Sequence, residues 1–207
     1  MLASRRCTLV ATFFYLSVKM FDLKNTPYVV VAMDAQYQIT NTEKSDLPLI
    51  FEFFEHSINY QEKHGYPAWR HYDKDVVVKD VENKNQYKIM VESKMAMVFS
   101  VRYSDKLIWR ELDKGDSIYL HRIVVNPVFK GKKLFGVILD WAKDHVRQKS
   151  LRSIRMDTWA DNPTIINYYK TFGFQFIENY TTPDIPDLPV HNRKLPMTLL
   201  EYKLNND

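Results

Sequence analysis

Lys130, Lys132 and Lys133 stand with Gly131 and Gly136 between two runs of opposite periodicity. Before them, residues 119–125 are β-branched and apolar, with His121 and Arg122 inserted, which predicts a buried strand. Asn126-Pro127 ends that strand, because proline has no N–H to give to a ladder. After the lysines, Leu134, Val137, Ile138, Trp141 and Ala142 recur at helical spacing and define one apolar face. A strand that feeds a basic turn opening a helix is an anion site. The first amides of the helix lack acceptors, and its dipole is positive at that end.

The remaining candidates are proton-transfer groups. His121 alternates with Tyr119 and Ile123 on one strand face. An imidazole with an ordinary pKa of about 6.5 accepts a proton at neutral pH. A histidine satisfied by hydrogen bonds within the sheet is the plain alternative, and Glu111 and Tyr119 are rival bases. Arg122 falls on the opposite face and reads as structural. Tyr169 and Tyr168 lie side by side on a short helix, about 100° apart around its axis. Asp157 and Asp161 have no histidine or carboxylate at metal-ligand spacing along the chain, so no metal is expected.

Several elements must position these groups. Ser45-Asp46 starts a helix over residues 47–60, and a second, shorter helical region is expected within 66–81. In the latter, Trp69, Arg70, His71 and Tyr72 either line a substrate pocket or form an aromatic packing face. Residues 86–91 and 95–102 read as a hairpin joined by Glu92-Ser93-Lys94. Residues 107–111 are a short apolar run, and 151–159 form the next strand. Asn162 caps a helix with Pro163 at its first position, and Gly173 stops it. Residues 174–179 and 197–204 are strands, separated by a proline-rich loop over 181–196. One helix separates the strands ending at Val125 and beginning at Leu151, so those strands should be parallel neighbours. The fold class is therefore α/β or α+β, a mixed, mostly antiparallel twisted sheet of six to seven strands with helices on both faces.

The 207 residues are 45% apolar and 26% charged, ordinary values for one domain with a sizeable core. A net charge of +4 is too weak to argue for nucleic acid. Cys7 is the single cysteine; this excludes an internal disulfide and favours a reducing, cytoplasmic setting. The basic start followed by an apolar stretch over 7–18 has signal-peptide character, yet no clear cleavage site follows. The stretch is also shorter than the roughly 20 residues that span a bilayer, and no stable membrane association is expected. Residues 1–32 are read as an extension of doubtful status, with Met20 or Met33 as alternative starts, and 33–207 as a single domain.

Taken together, the residues resemble the GNAT superfamily of acyl-CoA N-acyltransferases. Three pieces in order carry the likeness: Ile123-Val124-Val125-Asn126-Pro127 running to Phe129-Lys130-Gly131-Lys132-Lys133-Leu134-Phe135-Gly136; Asp157-Thr158-Trp159 followed by Asn162; and Tyr169-Lys170-Thr171-Phe172-Gly173-Phe174. The resemblance implies a GNAT fold and acetyl-CoA as co-substrate. The backbone of Ile123, Val124 and Val125 would pair with the pantetheine, and the turn from Lys130 to Gly136 would wrap the pyrophosphate. Asn162 and Tyr169 would face the thioester end. Lys133 and Phe135 stand where the family has small residues, which predicts crowding of the turn by Cβ atoms.

What the resemblance implies is acetyl transfer to a primary amine by direct attack in a ternary complex. Tyr169 would be the acid that protonates the CoA sulfur, His121 the base, and a backbone N–H near Val124 the polariser of the carbonyl. The acceptor is a small-molecule or peptide amine, and a homodimer is compatible with the reading. The contrasting class is a catalytically silent protein of the same fold that binds acyl-CoA or another anionic ligand.

Overall fold

A computed structural model describes residues 28–32, 35–66, 69 and 72–204. Arg70 and His71, the alternative start at Met33 and most of the N-terminal extension lie outside the described residues.

Among the described residues, eight strands form one sheet: β1 (Tyr28–Ala32), β2 (Ala35–Asn41), β3 (Gln86–Val91), β4 (Lys94–Arg102), β5 (Ser117–Val125), β6 (Ser153–Trp159), β7 (Gln175–Thr181) and β8 (Pro196–Lys203). Their order is β1-β2-β3-β4-β5-β6-β8-β7, and every pair is antiparallel except β5–β6. The single parallel pair is the one the crossover predicted. The strand beyond the expected six to seven is β1, which pairs with β2 from Tyr28↔Ile39 onward. A boundary at residue 33 would fall inside that hairpin. The Tyr28 hydroxyl also donates to Asp144 at 3.0 Å, tying β1 to a helix far along the chain.

The helices are α1 (Leu47–Lys63), α2 (Lys74–Glu82), α3 (Lys106–Trp109), α4 (Phe135–Gln148) and α5 (Pro163–Lys170). The region expected to be helical within 66–81 starts only where Asp73 caps α2, its side chain accepting from the Asp75 amide. On one face of the sheet, α4 buries Phe135, Ile138, Leu139, Trp141, Ala142 and Val146 against alternate residues of the central strands, among them Phe99, Ile118, Leu120, Ile154 and Met156. On the other face, α1 and α2 bury Ile50, Phe53, Phe54, Val77 and Val81 against Met95, Val98 and Val124. Strands covered on both sides explain why β4 is buried along nearly its whole length. Among the described residues, no helix is long and apolar enough to cross a membrane.

The sheet parts in its middle. β5 and β6 pair only from Ser117↔Ser153 to Tyr119↔Arg155. Beyond that point β5 stays with β4 as far as Val125↔Met97, and β6 stays with β8 as far as Trp159↔Met197. The cause lies in β5. Its register against β4 slips between Val98 and Ser100, and Arg122 takes a left-handed φ of 47°. A bulge bends the strand that carries it. Arg122 is held in place by an ion pair to buried Asp80 of α2 and by a hydrogen bond to Ser100 Oγ, the structural role expected of it.

Candidate active site

The wedge between β5 and β6 leaves the β6-facing edge of residues 121–125 without a strand partner. Ile123 and Val125 therefore present backbone groups along an open slot, whereas Val124, paired with Val98 two residues before the Asn126 amide that donates to Ala96, turns its own towards β4. At its foot is a cavity of about 300 Å³. Leu120, His121 and Ile123 come from β5, Met156, Asp157 and Trp159 from β6, and Ile165 and Tyr169 from α5. The far wall is aromatic: Phe54 of α1 stacks on Tyr72 at 4.9 Å and lies 6.0 Å from Trp69. Pro189, Asn192 and Leu195 of the proline-rich loop close the other side.

Beyond the other end of β5, the basic turn is built as an anion nest. Gly131 and Lys133 both take left-handed φ angles, 84° and 53°. The amides of Lys130 and Lys132 donate back to Pro127 and Phe129. Those of Gly131, Lys133, Leu134 and Phe135 donate to no acceptor in the described chain. Four free N–H groups at the start of α4 match what a phosphate needs. Lys132 and Lys133 are exposed and have no ion pair among the described residues, whereas Lys130 is drawn over the Tyr60 ring at 4.0 Å. The crowding expected at Phe135 does not occur. Its side chain is 2% exposed and turned into the core, against the rings of Tyr168, Tyr169, Phe172 and Phe174. Gly136 passes under Phe172.

The two tyrosines are placed differently. Tyr169 lines the cavity and is fixed by the Phe135 ring at 4.9 Å, whereas Tyr168 does not reach the cavity wall. Burial, then Tyr168 and the Asp157 carboxylate, push the Tyr169 phenol above its usual 10, so it keeps its proton at neutral pH. Asn162 caps α5 as expected, its Oδ1 accepting from the Ile165 amide at 3.2 Å. That bond takes one lone pair of its Oδ1, and Asn162 is not among the residues of the cavity wall. The reason is local: a free helix N-terminus claims the nearest side-chain oxygen.

His121 does line the cavity, and its rivals do not. Glu111 is exposed and pairs with Arg110. Tyr119 is fully buried beneath Trp109, its hydroxyl accepting from Arg155 at 3.1 Å. Around His121 the fold gathers two carboxylates that no sequence spacing announced. Its Nε2 lies 3.4 Å from Asp105 Oδ2, and its Nδ1 lies 3.9 Å from Asp157 Oδ1. Asp105 belongs to the loop before α3. The three residues each bring one atom within 4.8 Å of the others. The grounds for excluding a metal, that Asp157 has no such neighbours, are thus corrected: the neighbours come from other elements. Asp161, by contrast, is exposed.

The cluster is electrostatically poised. Burial pushes the Asp157 carboxyl from 3.8 to about 6; the Asp105 charge pushes the same way and His121 opposes it. Burial likewise raises Asp105 to about 6, with Asp113 adding to the rise and the Ile108 amide and Arg102 opposing it. Burial holds the His121 imidazole below its usual 6.5, against the pull of Asp157. A neutral imidazole beside acids that titrate near neutrality can take up a proton and pass it on.

The profile of the Acetyltransferase (GNAT) family matches residues 57–174, more than half of the chain. The chain belongs to the GNAT family. An uncharacterized N-acetyltransferase, YesJ of Bacillus subtilis, is 32% identical over 73 residues, covering 35% of this chain and 41% of that protein. A GNAT-family acetyltransferase of Listeria monocytogenes superposes with a TM-score of 0.70 at 19% identity, over 85% of this chain and 99% of that one. The putative acetyltransferase yncA of Salmonella typhimurium, solved with acetyl-CoA, gives 0.58 at 18% identity, over 83% and 95%. At these identities the likeness to both structures shows the GNAT fold and no more.

Proposed function

We propose that this GNAT protein is an acetyl-CoA-dependent N-acetyltransferase whose acceptor is a primary amine small enough to enter the cavity. One observation carries the reading: the slot between β5 and β6 ends at a cavity whose wall holds both a protonated phenol and a neutral imidazole, Tyr169 and His121. Acetyl-CoA supplies the activated acyl group. The free amides of Gly131, Lys133, Leu134 and Phe135, with Lys132 and Lys133, suit its pyrophosphate, and the unpaired backbone of Ile123 and Val125, either side of Val124, suits its pantetheine. An unpaired N–H of that edge, near Val124, is placed to polarise the thioester carbonyl.

The chain's groups account for both protons. His121 takes one from the entering ammonium, leaving the lone pair that attacks. Tyr169 gives its phenolic proton to the sulfur as the carbon–sulfur bond breaks, and regains one from the nitrogen as the amide forms. One proton leaves in total, through His121. Release of CoA thiol from acetyl-CoA, measured across a panel of amines for the wild type and Tyr169→Phe, tests this. Turnover with at least one amine and its loss in Tyr169→Phe is expected. Binding of acetyl-CoA with no turnover of any amine would leave a silent ligand-binding protein instead.

A further inference from the structure

We propose that Asp105 is a positioning residue for the base: it holds the Nε2–H of His121, leaves Nδ1 to face the cavity, and makes Asp105, His121 and Asp157 one proton-handling unit. This rests on the reading of His121 as the base. Asp157 and His121 line the cavity, but Asp105 does not, so the acceptor meets one side of the imidazole and Asp105 the other. The nitrogens are sorted accordingly, with Nε2 nearest Asp105 at 3.4 Å and Nδ1 nearest Asp157 at 3.9 Å.

Satisfaction of buried groups gives the same answer. His121 Nε2 and Asp105 Oδ2 are both buried, and neither has a hydrogen-bond partner among the described residues. Each is the group the other lacks; at 3.4 Å they are within reach and need only a better alignment of the imidazole N–H with the carboxylate. Leaving both unpaired would cost on the scale of a lost buried hydrogen bond. Asp157 Oδ1 is also buried and unpartnered, on the side from which an ammonium would come. The groups facing the cluster from neighbouring elements are Arg102 of β4, Asp113 after α3 and Tyr169 of α5. Only Arg102 is cationic, and its guanidinium pairs with Asp80 at 3.5 Å.

The proton path follows. The ammonium proton passes to Nδ1 as the Nε2 proton moves toward Asp105 Oδ2. Asp105 sits at the start of α3, its own amide bonded to Asp113, which in turn accepts from Ser104 at the surface. The charge is therefore shared on the side of the ring away from the acceptor.

Asp105 also opens α3, so a purely structural role must be separated. Asparagine is an equally good helix-start residue and nearly isosteric, so Asp105→Asn removes the charge and keeps the start. Expected for that variant are a fall in kcat of about tenfold or more, an unchanged KM for acetyl-CoA, and a displaced acid limb of the pH–rate profile. Asp105→Glu should recover part of the rate. Nitrogen NMR of the histidine side chains, with His121 assigned through His121→Gln, reads the tautomer in the wild type without any turnover. The Nε2–H form at pH 7.5 is expected. The Nδ1–H form, or an Asp105→Asn enzyme with the wild-type rate and pH profile, overturns the proposal. A wild type that turns over no amine overturns the acetyltransferase reading instead, and the tautomer still decides the role of Asp105.

Discussion

Asp157→Asn should make the protein more stable and less active at once, and the size of the gain follows from the structure. The Asp157 side chain is 15% exposed, its Oδ1 has no partner, and burial raises its carboxyl from 3.8 to about 6. The folded state therefore holds this proton more tightly than the unfolded chain. The stability it lends is fully present below 3.8 and is lost as pH rises through 6. A gap of about two pH units at about 1.4 kcal/mol each means that the charged form costs the fold about 3 kcal/mol at pH 8. Asparagine removes that cost but also removes the attraction to His121, so a net gain of about 1–3 kcal/mol is expected. For a chain of this size that is a rise in Tm of roughly 3–10 °C. The gain should be about halved at pH 5 and absent below the ordinary carboxylate range. Thermal unfolding of both proteins from pH 3.5 to 8.5, beside an amine acetylation assay, provides the measurement. A variant no more stable than the wild type at pH 8, or a gain that does not change with pH, would refute the reasoning.

Other outcomes follow from the same geometry. Tyr169→Phe should lower kcat by about 10²-fold while leaving acetyl-CoA affinity within about twofold, read by steady-state kinetics and calorimetry, because the lost group acts only on the departing sulfur. The wild-type rate should rise with pH around an apparent pKa near 6 and level off above it, as the cluster must be deprotonated to accept a proton; a flat profile from pH 5 to 8 would remove the cluster from the mechanism. Lys133→Gly should raise stability by about 0.5–1 kcal/mol, since a left-handed φ of 53° suits glycine, yet raise KM for acetyl-CoA by removing a cation from the nest. Phe135→Ala should cost about 3–5 kcal/mol in chemical denaturation, because a ring 2% exposed and packed among four aromatic rings leaves a cavity behind.

The parts of this protein that are legible from sequence are those set by local chemistry. The strand, proline, lysine turn and helix over 119–142 are read from periodicity and from backbone groups that neighbours in sequence must leave unsatisfied. Asn162 and Pro163 announce α5 for the same reason, and the length of the crossover is enough to make β5 and β6 parallel. Tyr169 was reachable because its neighbours Phe172 and Gly173 are part of the same local pattern. The direction of the Phe135 ring was not reachable. A residue that looks as if it crowds a turn becomes a core residue once α5 and the turn after it supply four rings to receive it.

The electrostatics of the site belong to the tertiary structure alone. The bulge at Arg122 opens the wedge, and that bulge depends on Asp80 from a distant helix. Asp105, His121 and Asp157 come from a loop, β5 and β6, and no spacing along the chain records that they meet. Coulomb forces and desolvation act through space, so a carboxylate's protonation depends on which elements fold over it. Sequence determined that this chain has a basic turn opening a helix, a phenol and an imidazole; the packed sheet decided that the imidazole lies between two acids whose oxygens are buried.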